Sequence, residues 1–117
     1  EWLEQHPKVE KLNYPFLKSN KQFALAQKQM KQGGGLISLQ LKAENVAAVE
    51  RFCDGLKMFL LATSWGGHES LCFPVCALKQ SVSLTNPLPF NLIRLYIGLE
   101  DPAVLREDLE GAFSKML

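Results

Sequence analysis

Hydrophobic and polar positions alternate along this chain in two periods, and the switches between them outline its elements. Glu1 to Gln5 reads as the tail of a helix stopped before Pro7. Val9 to Asn13 reads as a short edge strand ended by Tyr14-Pro15. Ser19 or Asn20 can cap a helix over about 21–31, whose Phe23, Ala26 and Met30 share one face, with Gly33–Gly35 breaking it. In Leu36–Leu41, Ile37, Leu39 and Leu41 face one side of a strand and Ser38 and Gln40 the other. Asn45 can cap a helix over about 46–56, with Val46, Val49, Phe52, Cys53 and Leu56 at helical spacing. Met58–Ala62 has strand length. Residues 63–90 are broken by Gly66, Gly67, Pro74, Pro87 and Pro89, with a possible strand near 69–73.

Asn91–Leu99 is the clearest strand. Ile93, Leu95, Ile97 and Leu99 point one way, and Leu92, Arg94, Tyr96 and Gly98 the other. Asp101 caps a last helix with Pro102 preset at its first position, and Leu105, Leu109, Ala112, Phe113 and Met116 form its buried stripe. The series predicts an α+β fold: a small, mainly antiparallel sheet with helices packed on one face. Ser38, Gln40, Arg94 and Tyr96 mark the opposite face as polar, turned to water or to another domain.

At 117 residues the chain holds one domain, not two, and 47% hydrophobic with 21% charged residues is ordinary globular composition. No apolar run approaches the ~20 residues of a membrane helix. The net charge of +1 gives no electrostatic reason to expect nucleic acid or membrane as partner. Charge is mildly uneven, +3 over residues 1–35 and −2 over 36–117. Three cysteines, Cys53, Cys72 and Cys76, are too few for a disulfide-stapled secreted domain and read as reduced thiols of a cytoplasmic protein. Glu1–Gln5 is charged and amphipathic, unlike a signal peptide, and the absent Met suggests a piece of a longer protein.

Arg94 sits mid-strand on the polar face. Its guanidinium is either a solvated charge or a bidentate holder of a carboxylate. Thr63–Ser70 follows a buried strand and combines Trp65, two glycines and polar groups; it is either a tight turn plugged by Trp65 or a place where backbone amides approach a ligand. A Ser64–His68–Glu69 triad is disfavoured, because triad members usually come from separate elements. Cys72 and Cys76, with Cys53 or His68, have loose spacing for zinc and read better as small buried hydrophobes. Gly33–Gly35 follows a helix and opens a strand, the wrong order for a phosphate loop.

Taken together, Ser64-Trp-Gly-Gly-His-Glu-Ser-Leu71 and Leu92-Ile-Arg-Leu-Tyr-Ile-Gly-Leu-Glu-Asp101 resemble the C-terminal domain of the pyridoxal-phosphate enzymes of cysteine and methionine metabolism. Trp2-Leu3, His6-Pro7, Tyr14-Pro15 and Lys28-Gln29-Met30 through Gly34-Gly35-Leu36-Ile37-Ser38 agree, so the likeness covers essentially the whole chain. It implies the small C-terminal domain of a pyridoxal-phosphate-dependent transferase-like fold, with residues 1–8 the end of an interdomain helix and linker. It also implies that Arg94 binds the substrate's α-carboxylate, with Ser64 beside it and Trp65 shaping the pocket. A tryptophan at position 65 is similar to the cystathionine β-lyases; the γ-synthases and γ-lyases are the alternative. Catalytic, cofactor-binding and metal-binding residues are expected to be absent here. None of the ten lysines lies in the family's Ser/Thr-rich Schiff-base motif, so this chain alone is expected to be inactive. The implied partners are its own N-terminal cofactor domain, an amino-acid thioether substrate such as cystathionine, and further copies in a homotetramer. Asn20 stands where many members have His, and residues 77–90 depart from the family's usual segment. The competing classes are a standalone α+β module that binds small amino acids on the polar face, and an interaction domain that covers that face by dimerising.

Overall fold

The structure is a computed structural model that describes residues 1–78 and 88–117. The elements are α1 (Trp2–Gln5), β1 (Val9–Asn13), α2 (Phe23–Gln29), β2 (Leu36–Leu41), α3 (Val46–Gly55), β3 (Leu60–Leu61), β4 (Leu71–Pro74), a 3₁₀ turn at Val75–Ala77, β5 (Leu92–Tyr96) and α4 (Pro102–Ser114). The strands form one sheet in the order β1-β2-β5-β4-β3, antiparallel except for β3 beside β4. This is the expected α+β architecture, with β1 at an edge.

One core lies between the inner sheet face and the helices. Val9, Leu39, Leu41, Cys72, Ile93 and Leu95 from the sheet meet Val49, Phe52 and Cys53 of α3 and the Leu105, Leu109, Ala112, Phe113 and Met116 stripe of α4. The caps form as their chemistry demands: Asn45 accepts from Ala48 N–H at 3.0 Å, and Asp101 from Ala103 N–H at 2.7 Å ahead of Pro102. The short α1 is tied to α4 through His6. The His6 ring stacks on Phe113 at 4.0 Å. Its Nδ1 accepts from Lys8 N–H, which leaves Nε2 as the donor to Glu110 at 3.3 Å.

Several local expectations change. The helix expected over 21–31 runs only from Phe23 to Gln29, ending in extended backbone at Met30 before the three glycines are reached. Met30, expected on its buried face, is 41% exposed. The N-cap of α2 is Gln22, with no side-chain cap; Asn20, expected as the cap, instead accepts Gln22 N–H at 2.9 Å in the turn before the helix. Val46 opens α3 but lies exposed.

The strand expected over 58–62 shrinks to Leu60–Leu61, because Asp108 of α4 takes the N–H groups of Lys57, Met58 and Phe59 at 2.7, 2.9 and 3.1 Å. Those amides are therefore lost to any ladder. The strand expected near 69–73 is found at Leu71–Pro74. The 91–99 strand stops at Tyr96, and Leu99, expected in the apolar stripe, is 85% exposed. Beyond Tyr96, Ile97 N–H still bonds to Gly35 O, one rung past the Leu36–Tyr96 pair, and Leu99 N–H to His68 O, while Gly98 N–H turns to the Ser70 hydroxyl. Most of the unusual 77–90 segment, residues 79–87, lies outside the described residues.

Candidate functional site: a carboxylate clamp on the outer sheet face

Strand alternation puts every second residue of β5 on the face turned away from the core. Ile93 and Leu95 are fully buried, and Arg94 between them faces outward, in register with Ser38 of β2 and Phe73 of β4. The Arg94 guanidinium lies 5.4 Å from the centre of the Phe73 ring, a cation–π distance. Its Nη2 donates to the carbonyls of Thr63 and, at 3.4 Å, Ser64. A guanidinium carries five N–H donors, so Nη1 and Nε keep donors for a further acceptor. Among the described residues none takes them.

The segment Thr63–Ser70 reaches Arg94 because β3 ends at Leu61, with Ala62 N–H closing onto Cys72 O at 3.1 Å. Gly66 then turns the chain at φ +97°, a left-handed conformation that side-chain-bearing residues rarely adopt. Tyr96 Oη donates to Gly67 O at 2.9 Å. At its far end the segment is fixed by Ser70, which is fully buried. Ser70 N–H and Oγ–H donate to the two carboxylate oxygens of Glu100 at 2.8 and 2.7 Å, and Ser70 Oγ accepts from Gly98 N–H at 2.8 Å. Gly98 is required by closeness: a Cβ there would meet His68 O at 2.3 Å. The Ser70 N–H and hydroxyl hold the Glu100 carboxyl below the usual carboxylate range, with His68 adding a smaller effect in the same direction.

The structure places Ser64 beside Arg94 through its backbone carbonyl, not its hydroxyl, and Trp65 follows in the turn, 60% exposed rather than a plug. The Ser64–His68–Glu69 combination does not assemble. His68 and Glu69 lie 3.8 Å apart on the surface, and among the described residues the Ser64 hydroxyl bonds to neither.

The cysteines form no metal site among the described residues. Cys53 and Cys72 are buried, and Cys76 is half-buried. The hydrogen bond between Cys53 and Cys72 holds the Cys53 thiol down and, with burial, pushes the Cys72 thiol up; burial pushes Cys76 up. Cys53 and Cys72 fill the core as small apolar side chains, and Cys76 packs against it.

Tyr96, Ser70 and Glu100 escape sequence reading as parts of this site. Their contacts join residues about 30 positions apart, and only the outward parity of Tyr96 hints at its role. The groups at hand fit a carboxylate. Among the described residues they include no lysine amine, so these do not fit the aldehyde of pyridoxal phosphate.

Comparison with known proteins identifies the family. The chain is 40% identical over 119 residues to the L-methionine gamma-lyase of Pseudomonas deceptionensis, covering 97% of the chain and 30% of that protein. It is 38% identical over 121 residues to the cystathionine beta-lyase of Coxiella burnetii, covering 96% and 30%. The crystal structure of metB from Corynebacterium glutamicum superposes with a TM-score of 0.88 at 33% identity, over 99% of this chain and 30% of that one. The chain thus spans about 30% of the length of these relatives. The family described as the Cys/Met metabolism PLP-dependent enzymes matches residues 1–114, and the chain belongs to that family.

Proposed function

We propose that this chain is the C-terminal, substrate-carboxylate-binding domain of a cystathionine β-lyase-like enzyme. The enzyme would carry out α,β-elimination of cystathionine to homocysteine, pyruvate and ammonia. One observation carries the reading: a mid-strand guanidinium that is backed by Phe73, steadied on one nitrogen by two loop carbonyls and, among the described residues, left with donors on the other two. That is the geometry a carboxylate needs for a forked grip.

Arg94 is the anchor in this reading. Ser64 presents its hydroxyl beside the carboxylate, and Trp65, exposed at the turn, walls the place where the substrate side chain lies. Pyridoxal phosphate supplies the electron sink of the reaction, and its attachment belongs to an N-terminal domain outside this chain. The contribution of this chain is orientation. A carboxylate held at two points leaves the substrate little freedom about Cα, which fixes the direction of the bond that loses its proton. Trp65 favours the β-lyase over the γ-lyase and γ-synthase alternatives, since it resembles the residue of the β-lyases at this place.

The test uses the full-length enzyme with cystathionine. Pyruvate as the keto acid supports β-elimination, whereas 2-oxobutyrate overturns it in favour of γ-elimination. Arg94→Ala should raise KM for cystathionine by about 100-fold, the loss of roughly two charge-assisted hydrogen bonds, with the cofactor still bound. An unchanged KM removes Arg94 from the substrate site.

A further inference from the structure

The row Arg94, Tyr96, Gly98 and Glu100 repeats every second residue along β5 and its continuation, and every member touches the same segment. Arg94 holds the carbonyls of Thr63 and Ser64, Tyr96 that of Gly67, Gly98 the Ser70 hydroxyl, and Glu100 both donors of Ser70. Leu99 N–H adds a bond to His68 O at 2.8 Å. Between these anchors Trp65 and Gly66 make none of the described hydrogen bonds, and Gly66 sits at φ +97°. The turn that carries Trp65 is thus a span fixed at its two ends.

We infer that Glu100, acting through Ser70, and Tyr96, acting through the Gly67 carbonyl, are positioning residues that set where the turn carrying Ser64 and Trp65 sits beside Arg94. This rests on the reading of Arg94 as the carboxylate anchor. The physical reason is that Arg94 is shared. Its Nη2 serves the loop and its remaining donors serve the ligand, so the guanidinium plane follows the loop carbonyls. Freeing the Ser70 end lets the span move, and the carbonyls of Thr63 and Ser64 move with it. The Ser70 hydroxyl is the pivot. It donates to Glu100 and accepts from Gly98 N–H, so both of its directions are committed. Glu100→Gln keeps one carbonyl acceptor but places an amide where the second acceptor stood. One of the two Ser70 donors, the N–H or the hydroxyl, then faces a donor. Glu100→Ala removes both acceptors. Tyr96→Phe removes one bond and leaves the ring.

The experiment combines hydrogen–deuterium exchange and kinetics on the full-length enzyme, comparing Glu100→Ala, Glu100→Gln, Tyr96→Phe and Arg94→Ala. Glu100→Ala should speed exchange in peptides covering 62–70 by about 10-fold or more while α4 and β2 exchange as before. KM for cystathionine should rise about 10-fold with kcat changed far less, and Glu100→Gln and Tyr96→Phe should fall in between. Unchanged exchange over 62–70 in all three variants overturns the proposal. So does faster exchange with an unchanged KM while Arg94→Ala still raises KM, because the loop would then be irrelevant to the clamp. If Arg94→Ala is silent, the carboxylate reading itself fails and the positioning role falls with it; the silent variant therefore identifies which statement is wrong. Should Glu100→Ala unfold the domain, with fast exchange everywhere, the two milder variants decide by the same criteria.

Discussion

The two faces of β5 are built from the same five residues and held by opposite physics. Ile93 and Leu95 point inward, are fully buried and belong to the continuous core with α3 and α4. Arg94 and Tyr96 point outward, stay partly exposed and are held by directed hydrogen bonds to a loop. The inner face is bound by non-directional packing, which stabilises the fold in proportion to the apolar area removed from water. The outer face adds little area, and its bonds largely replace bonds to water, so it sets geometry more than stability. One strand thus separates the residues that keep the domain folded from those that shape the clamp.

The sharpest way to break this comparison is to exchange the costs. Leu95→Ala should destabilise the chain by about 2–5 kcal/mol, the usual range for emptying a buried leucine site, and urea denaturation measures it. A cost below about 1 kcal/mol would mean that the inner face is not where stability resides. Asp108→Ala asks whether a directed contact inside the core behaves like the packing around it. Three backbone N–H groups lose a buried carboxylate, so the loss should be about 2–3 kcal/mol, and the same titration measures it.

The outer face should respond to acid. Glu100 has its pKa lowered in the folded chain, so its contribution is complete above the ordinary carboxylate pKa and is lost as pH falls through the lowered value. The stability gap between the native chain and Glu100→Gln should therefore close on acidification. Parallel pH profiles for the two would show that Ser70 does not favour the charged carboxylate. The smallest effect belongs to the residue proposed as most important for function. Arg94→Ala should change the stability of the chain by no more than about 0.5 kcal/mol, as expected of a partly exposed side chain whose described partners are two loop carbonyls and the Phe73 ring. A loss near that of Leu95→Ala would erase the division between the faces.

What was legible in the sequence follows the range of the interactions. The outward parity of Arg94 and its nearness to the Ser64–Trp65 turn were readable from alternation and from the family likeness. The end of β5 at Tyr96 was not, although Leu99 continues the apolar pattern without a break. Periodicity records which side a residue would face in a strand; it does not record that Gly98 and Leu99 give their amides to Ser70 and His68. Met30 fails in the same way: its spacing is helical, but α2 stops one residue short of it.

By itself the sequence determined the α+β class, the inner stripes of β2, β5 and α4, and the caps at Asn45 and Asp101-Pro102. All of these rest on neighbours within about four positions, where backbone geometry alone fixes who meets whom. Only the tertiary structure decided the sheet order, the shortening of β3 by Asp108, and the loop pinned between Arg94 and Glu100. Those bonds join residues 28 to 51 positions apart. They exist because β4 returns beside β5 and carries the segment before it onto the outward row, a consequence of chain topology that no local pattern encodes.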